Sequence, residues 1–200
     1  MKIIGFTGGT GCGKTTALHC LDAYDAQIFD CDAIYHGLLA SDAALTAAIG
    51  ERFPGTVRDG VLDRKALGTV VFRDPTALEA LSAITDPVVE RRILDLLAES
   101  RAAGRQAAAI DAIRLFESGI SELCDVTIAV TAPEADRVRR LMAREGLDEQ
   151  TALTRIRAQQ PNSYFVGKCD YTLENAGDLP AFQKQCKALL DSILETEKER

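Results

Sequence analysis

Residues Gly8-Gly9-Thr10-Gly11-Cys12-Gly13-Lys14-Thr15 follow the spacing G-x-x-x-x-G-K-[ST]. Glycines at these intervals let the backbone curl until successive N–H groups face one anion. In such a loop Lys14 reaches the β- and γ-phosphates of a nucleoside triphosphate, and the Thr15 hydroxyl ligates Mg²⁺. A helix opening at Lys14 adds a favourable dipole. Gly11, Cys12, Gly13, Lys14, Thr15 and Thr16 therefore form the expected cradle. Cys12 is either an oxidisable thiol near a helix start or a small side chain in a serine-like slot.

Acids and arginines elsewhere could complete phosphoryl chemistry. Asp30 and Asp32 close the second strand candidate, Ala26 to Asp30. If both stay extended, they point to one side. Acids at the carboxyl end of such a strand face the ligand crevice. One could orient and deprotonate a hydroxyl, or hold Mg²⁺ through water; alternatively Asp32 caps the following helix. Asp111 ends an alanine-rich strand candidate and is either an Mg²⁺-side acid or a plain strand end. Glu117 is a weaker example. Arg137, Arg140 and Arg144 stand at i, i+3 and i+7 on one helix face, and Arg155 and Gln159 share a face on the next helix. Such arginines either neutralise a transferring phosphoryl group or form a solvated basic face. His19 and His36 lack converging ligands and read as ordinary surface or helix residues.

These groups need elements to position them. Lys2 to Thr7 reads as a buried strand and Lys14 to Leu21 as a helix. From Asp32 to about Gly104 the pattern is helical, broken at Pro54-Gly55, Asp59-Gly60 and Pro87. Gln106 to Asp111 and Asp125 to Val130 return as strands. Thr131 and Glu134 have capping-box spacing. Asp148 starts a helix that stops at Pro161. Tyr171 to Glu174 is a last strand, and Phe182, Cys186, Leu189, Leu190, Ile193 and Leu194 trace one helix face. The terminal EKER is expected to fray. Alternating strands and helices predict an α/β fold with a parallel sheet covered on both faces. One domain over residues 1–200 is expected, with a helical insert at about 41–104 and a mobile piece at about 136–167.

The chain has 200 residues, with a hydrophobic fraction of 46% and a net charge of −7. That composition is globular. The acidic balance argues against a nucleic-acid or membrane-surface binder. Six cysteines without a C-x-x-C pair argue against zinc and for a reducing cytoplasm. No leader and no transmembrane stretch are expected.

The ordered set of motifs resembles the dephospho-coenzyme A kinase family along nearly the whole chain. IIGFTGGTGCGKTT resembles its opening, FDCDAIYH its acidic motif, and DGVLDRKALGTVVFRDP its acceptor domain, with Asp63, Arg64, Leu67 and Phe72. LFESGISELCDVTIAV resembles the segment leading into its next strand. RLMAREGLDEQTALTRIRAQ resembles its lid, with Arg140, Arg144, Arg155 and Gln159. DYTLENAGDL resembles the stretch that sets Asn175 near the adenine of ATP. The chain departs from the family pattern at Cys12 (commonly serine), Tyr35-His36 (often Ala-Arg), Asp86-Pro87 (typically His-Pro) and Ile113-Arg114-Leu115-Phe116-Glu117 (usually Pro-Leu-Leu-Phe-Glu). The resemblance implies a three-layer P-loop NTPase core with a helical acceptor-binding insert and a lid. It implies transfer of the ATP γ-phosphoryl to the ribose 3′-hydroxyl of dephospho-CoA, with Mg²⁺. Lys14, Asp32 and Arg140 would be catalytic, Arg144 and Asn175 would bind ATP, and Asp30, Asp32 and Arg64 would meet the acceptor. Thr15 would hold Mg²⁺, with Asp111 acting through water. A monomer is expected rather than an obligate oligomer. The alternatives are another small-molecule or nucleoside monophosphate kinase on this core, and a non-catalytic ATP sensor. A guanine-nucleotide switch is disfavoured because N-K-x-D is absent.

Overall fold

Ile3 to Thr7 are buried without interruption, the pattern of a strand covered on both faces. This strand, β1 (Lys2–Thr7), lies at the centre of a five-stranded sheet. The other strands are β2 (Ala26–Asp30), β5 (Ala107–Asp111), β6 (Val126–Thr131) and β7 (Tyr171–Glu174), in the order β2-β5-β1-β6-β7. β1 pairs in parallel with β5 and with β6, and β6 in parallel with β7. The register sets Phe6 opposite Asp111, so the ends of β1 and β5 open at the same edge. β5 opens with three alanines, poor strand formers; the full burial of Ala107 to Ile110 overrides that preference. The computed structural model describes residues 1–195. The EKER terminus lies outside them.

The chain divides into two compact units, Met1–Phe29 with Ser100–Arg200, and Asp30–Glu99. In the first, α1 (Lys14–His19) and α9 (Leu179–Glu195) bury Leu18, Phe182, Cys186, Leu190 and Ile193 with Ile4, Phe6, Ile128 and Leu173. The expected Lys14–Leu21 helix is shorter; a 3₁₀ turn replaces its end from Cys20. α6 (Glu134–Glu145) and α7 (Glu149–Arg157) form a pair with its own small core of Val138, Leu141, Ala152 and Ile156. Asp148 caps α7, accepting from the Thr151 N–H at 2.9 Å. The Thr131/Glu134 capping box does not form. Pro133 is the N-cap of α6 without a side-chain bond, so Glu134 falls at the first helical position rather than the third.

The second unit holds α2 (Cys31–Ser41), α3 (Ala43–Arg52), α4 (Arg64–Val71), most of α5 (Pro75–Ala102), and a hairpin of β3 (Val57–Arg58) and β4 (Val61–Leu62). Asp59 and Gly60 make the hairpin turn with φ of 52° and 76°, as a primed turn requires. Leu39, Leu45, Ile49, Phe53, Leu67, Val71 and Leu81 form the core. Pro87, expected as a break, sits inside α5. The missing N–H costs about 3 kcal/mol or more. Burial of Leu81, Val89, Ile93 and Leu97 along the same helix outweighs it. No described helix is long and apolar enough to cross a membrane.

Candidate active site

The phosphate loop joins β1 to α1. Gly13 stands at φ 102°, and a Cβ there would fall 2.2 Å from Asn175 Nδ2. Gly8 stands at φ 138°, where a Cβ would meet the Val130 carbonyl oxygen at 2.1 Å. No side chain fits either place without moving backbone or a buried amide. At the start of α1 the Thr16 N–H donates to the Gly13 carbonyl at 3.0 Å, while those of Lys14 and Thr15 have no intrahelical acceptor and are open to an anion. Lys14 Nζ donates to the Gly8 carbonyl at 3.0 Å and lies 3.7 Å from Asp111 Oδ1. Thr15 is exposed at the helix start. Cys12 is 1% exposed, and burial pushes its thiol pKa up despite Lys14 and Arg137 nearby. Its side chain is core filler, so only its backbone is available to a ligand.

The loop is held from behind by α6, by Gln159 just past the end of α7, and by the residue after β7. Arg137 Nε donates to the Thr10 carbonyl at 2.9 Å. Arg140 Nη1 donates to the Gly11 and Cys12 carbonyls at 3.2 and 3.4 Å. Its Nη2 reaches the Asn175 carbonyl at 3.2 Å and Asn175 Oδ1 at 3.0 Å. Asn175 Nδ2 donates to the Cys12 carbonyl at 3.0 Å. Gln159 Oε1 accepts from the Thr10 N–H at 2.8 Å.

The arginine row divides. Arg137 and Arg140 reach the loop; Arg144 turns to Glu145, which also receives Arg155. The Arg144 bond, with that of Arg155, lowers the Glu145 pKa. From Arg137 to Arg144 the helix advances about 10 Å, and Arg144 ends on Glu145 rather than on the loop. Arg155 and Gln159 also part company, since α7 ends at Arg157. Glu117 accepts from the Tyr164 hydroxyl at 2.8 Å.

In the helical unit, Asp30 rather than Asp32 caps α2, accepting from the Ala33 N–H at 3.0 Å. The helix begins at Cys31, so the two acids are not both extended as expected. Asp32 is exposed in the first turn, its side chain free of the capping role. Asp63 caps α4 by accepting from the Ala66 N–H at 2.9 Å, which fixes Arg64 at the first helical position. Arg64 Nη2 lies 2.9 Å from His36 Nδ1. Leu67 is in the core, and Phe72 is 84% exposed.

Sequence reasoning missed the depth of Arg137, which is 4% exposed. Its signal was present: Arg137 adjoins Val138 and precedes Leu141 by four, so it borders the apolar stripe of α6. Among the described residues no cluster of three or more His, Cys, Asp or Glu could hold a metal. The oxygens present near the loop, the Thr15 hydroxyl and the Asp111 carboxylate, are hard donors of the kind Mg²⁺ takes alongside substrate phosphates.

A family model described as dephospho-CoA kinase matches residues 2–181. A dephospho-CoA kinase of Anaeromyxobacter dehalogenans is 37% identical over 195 residues, covering 96% of this chain and 92% of its own. One from Paramagnetospirillum magneticum is 39% identical over 162 residues, covering 81% and 76%. A crystal structure of a Thermus thermophilus protein superposes with a TM-score of 0.79 at 35% identity, covering 96% of this chain and 97% of that one.

Proposed function

The chain belongs to the dephospho-CoA kinase family, and we propose on that footing how its own residues divide the work. The reaction is ATP-dependent phosphorylation of dephospho-CoA, a step of CoA biosynthesis. The loop from Gly11 to Thr16 cradles the β- and γ-phosphates of ATP, with the Cys12 backbone taking part and its thiol standing aside. Lys14 neutralises charge that builds on the γ-phosphoryl oxygens. Arg140 adds charge at the loop, and Arg144 joins it by exchanging Glu145 for phosphate. Asn175 serves the nucleotide by fixing Arg140 and the Cys12 carbonyl.

The acceptor residues are assigned in the helical unit; the insert at about 41–104 serves the acceptor, and 136–167 forms the lid. Asp32 takes the proton of the ribose 3′-hydroxyl as its oxygen bonds to phosphorus and the bond to the β-phosphate oxygen breaks. Asp30 positions Asp32 by capping α2, and Arg64 meets the acceptor's negative charge. Mg²⁺ would be held by Thr15, with Asp111 through water, and would supply charge neutralisation on the phosphates. A monomeric, cytoplasmic enzyme is part of the same reading; the six free cysteines support a reducing compartment.

The observation that carries the reading is the meeting of Lys14, Asp111 and the glycine loop at the common edge of β1 and β5. Its test is ADP release from Mg·ATP with and without dephospho-CoA, beside AMP, adenosine and pantothenate, with CoA identified by mass. Stimulation by dephospho-CoA alone is the expected result. Nucleotide binding without CoA formation would sink the acceptor assignment. Asp32→Asn should abolish turnover at unchanged ATP affinity, and a near-normal kcat would remove Asp32 as the base.

A further inference from the structure

Arg137 carries a charge that its hydrogen-bond partners do not cancel. Its acceptors are neutral oxygens: the Thr10 carbonyl at 2.9 Å, Gln159 Oε1 at 3.4 Å and Asn162 Oδ1 at 3.5 Å. Glu134, an acid whose charge bears on it, is itself held by Arg157 at 2.9 Å. Burial pushes the Arg137 pKa down, yet a guanidinium stays protonated at neutral pH. The group lies hard against the loop, since a Cβ on Gly9 would fall 2.2 Å from Arg137 Nη2. An amide could make the same bond to Thr10 without the cost of burying an ion. A buried cation hydrogen-bonded only to neutral oxygens fits a site whose anion arrives with the substrate.

We propose that Arg137 is a positioning residue for the phosphoryl donor, fixing the Thr10 peptide and charging the phosphate loop from behind, so that the bound polyphosphate supplies its counter-charge. This rests on the reading that the loop holds the phosphates of ATP. It assigns Arg137 a part in ATP affinity without contact with the reacting atoms, separate from Lys14 and Arg140.

The two parts of that role separate by substitution. Arg137→Gln removes the charge and retains a donor for Thr10. Arg137→Lys retains the charge and loses the planar fork. Gln159→Glu keeps an oxygen for both Thr10 N–H and Arg137, and cancels the charge in place. Kd for Mg·ATP and for inorganic tripolyphosphate, measured by calorimetry on the full chain, is the readout, with Tm beside it. Arg137→Gln and Gln159→Glu should each weaken both ligands about tenfold, with Arg137→Lys closer to wild type. Gln159→Glu should at the same time hold or raise Tm, because it pairs a buried ion. A lost structural brace would not give that opposition of stability and affinity. Tripolyphosphate affinity within twofold of wild type in both Arg137→Gln and Gln159→Glu would overturn the inference, as would an Arg137→Lys variant as weak as Arg137→Gln. If Arg137→Gln fails to fold, Gln159→Glu decides alone. Lys14→Ala separates the two levels: wild-type binding lost in Lys14→Ala keeps the reading of the loop even where Arg137 proves inert. A wild type that binds neither ligand overturns both.

Discussion

Asn175→Ala tests whether the loop is held as its geometry implies. Asn175 is 7% exposed and engaged at both ends of its amide, with Nδ2 on the Cys12 carbonyl and Oδ1 under Arg140, each at 3.0 Å. Truncation loses a neutral bond of about 1 kcal/mol. It weakens a charge-assisted one by about 1 kcal/mol more, less than the full 1.5–3, because Arg140 keeps the Asn175 backbone carbonyl at 3.2 Å. The space left in a buried site adds about 1 kcal/mol. The total is about 3 kcal/mol, a shift in Tm of about 6–12 °C for a chain of this size. Urea denaturation at unchanged slope reads it directly. Because Cys12 lies in the phosphate loop, Kd for Mg·ATP should rise as well. Asn175→Asp is the sharper companion. It keeps an oxygen for Arg140 but turns an unprotonated oxygen toward the Cys12 carbonyl, so it should destabilise comparably although no volume is lost. A loss under about 0.5 kcal/mol in both variants would refute the clamp.

Asp63→Ala removes the N-cap of α4, bonded at 2.9 Å, and should cost about 1 kcal/mol. If Arg64 serves the acceptor, steady-state kinetics should show a raised KM for dephospho-CoA with KM for ATP unchanged. The Cys186 thiol, 0% exposed, is pushed up to about 12, first by burial and then by Cys20 beside it. An unfolded thiol titrates near 8.5, so the native state holds its proton longer. The thiol's contribution is therefore whole below pH ~8.5 and is lost as pH rises toward about 12. Unfolding free energies from urea titrations at pH 8, 9 and 10 should fall by up to about 1.4 kcal/mol per pH unit from this thiol. Cys186→Ala should flatten that slope, and an unchanged slope would assign it elsewhere.

Much of this organisation was legible because it is local. The run Lys2 to Thr7 has no polar break, and the glycines after it have no other sterically permitted use at φ 138° and 102°. Asp148 sits directly before its helix, and its side chain can reach only the N–H groups of that first turn. The misses come from tertiary context. Pro87 reads as a stop until the buried residues on both sides of it are known to share one helix. Thr131 and Glu134 have the right interval, but Thr131 is the last residue of β6, its carbonyl accepting from the Asn175 N–H at 2.8 Å. Asp30 and Asp32 lose their common side because a cap turns the chain into α2 at once. A helix face gave the direction of Arg137, Arg140 and Arg144, but not that the last would be taken by Glu145.

The direction of the loop's N–H groups follows from what its carbonyls touch. In a trans peptide, the carbonyl of one residue and the N–H of the next point opposite ways. Arg137 draws the Thr10 carbonyl toward α6, Arg140 draws those of Gly11 and Cys12, and Asn175 shares the last. The N–H groups of Gly11, Cys12 and Gly13 are thereby turned away from α6. Cys12 N–H bonds to the Gly9 carbonyl at 3.3 Å, and those of Gly11 and Gly13 are left to face an anion. By bonding the loop's carbonyls, these arginines thus help to set the direction of its N–H groups. The same bonds restrict the segment 136–167. Arg137 and Arg140 at its beginning and Gln159 near its end are all bonded to the loop, so it is anchored there at both ends. Between those anchors, Arg144 and Arg155 converge on Glu145 at the surface. If Arg144 binds the nucleotide as proposed, it must first give up its bond to Glu145, whereas Arg137 and Arg140 need not move.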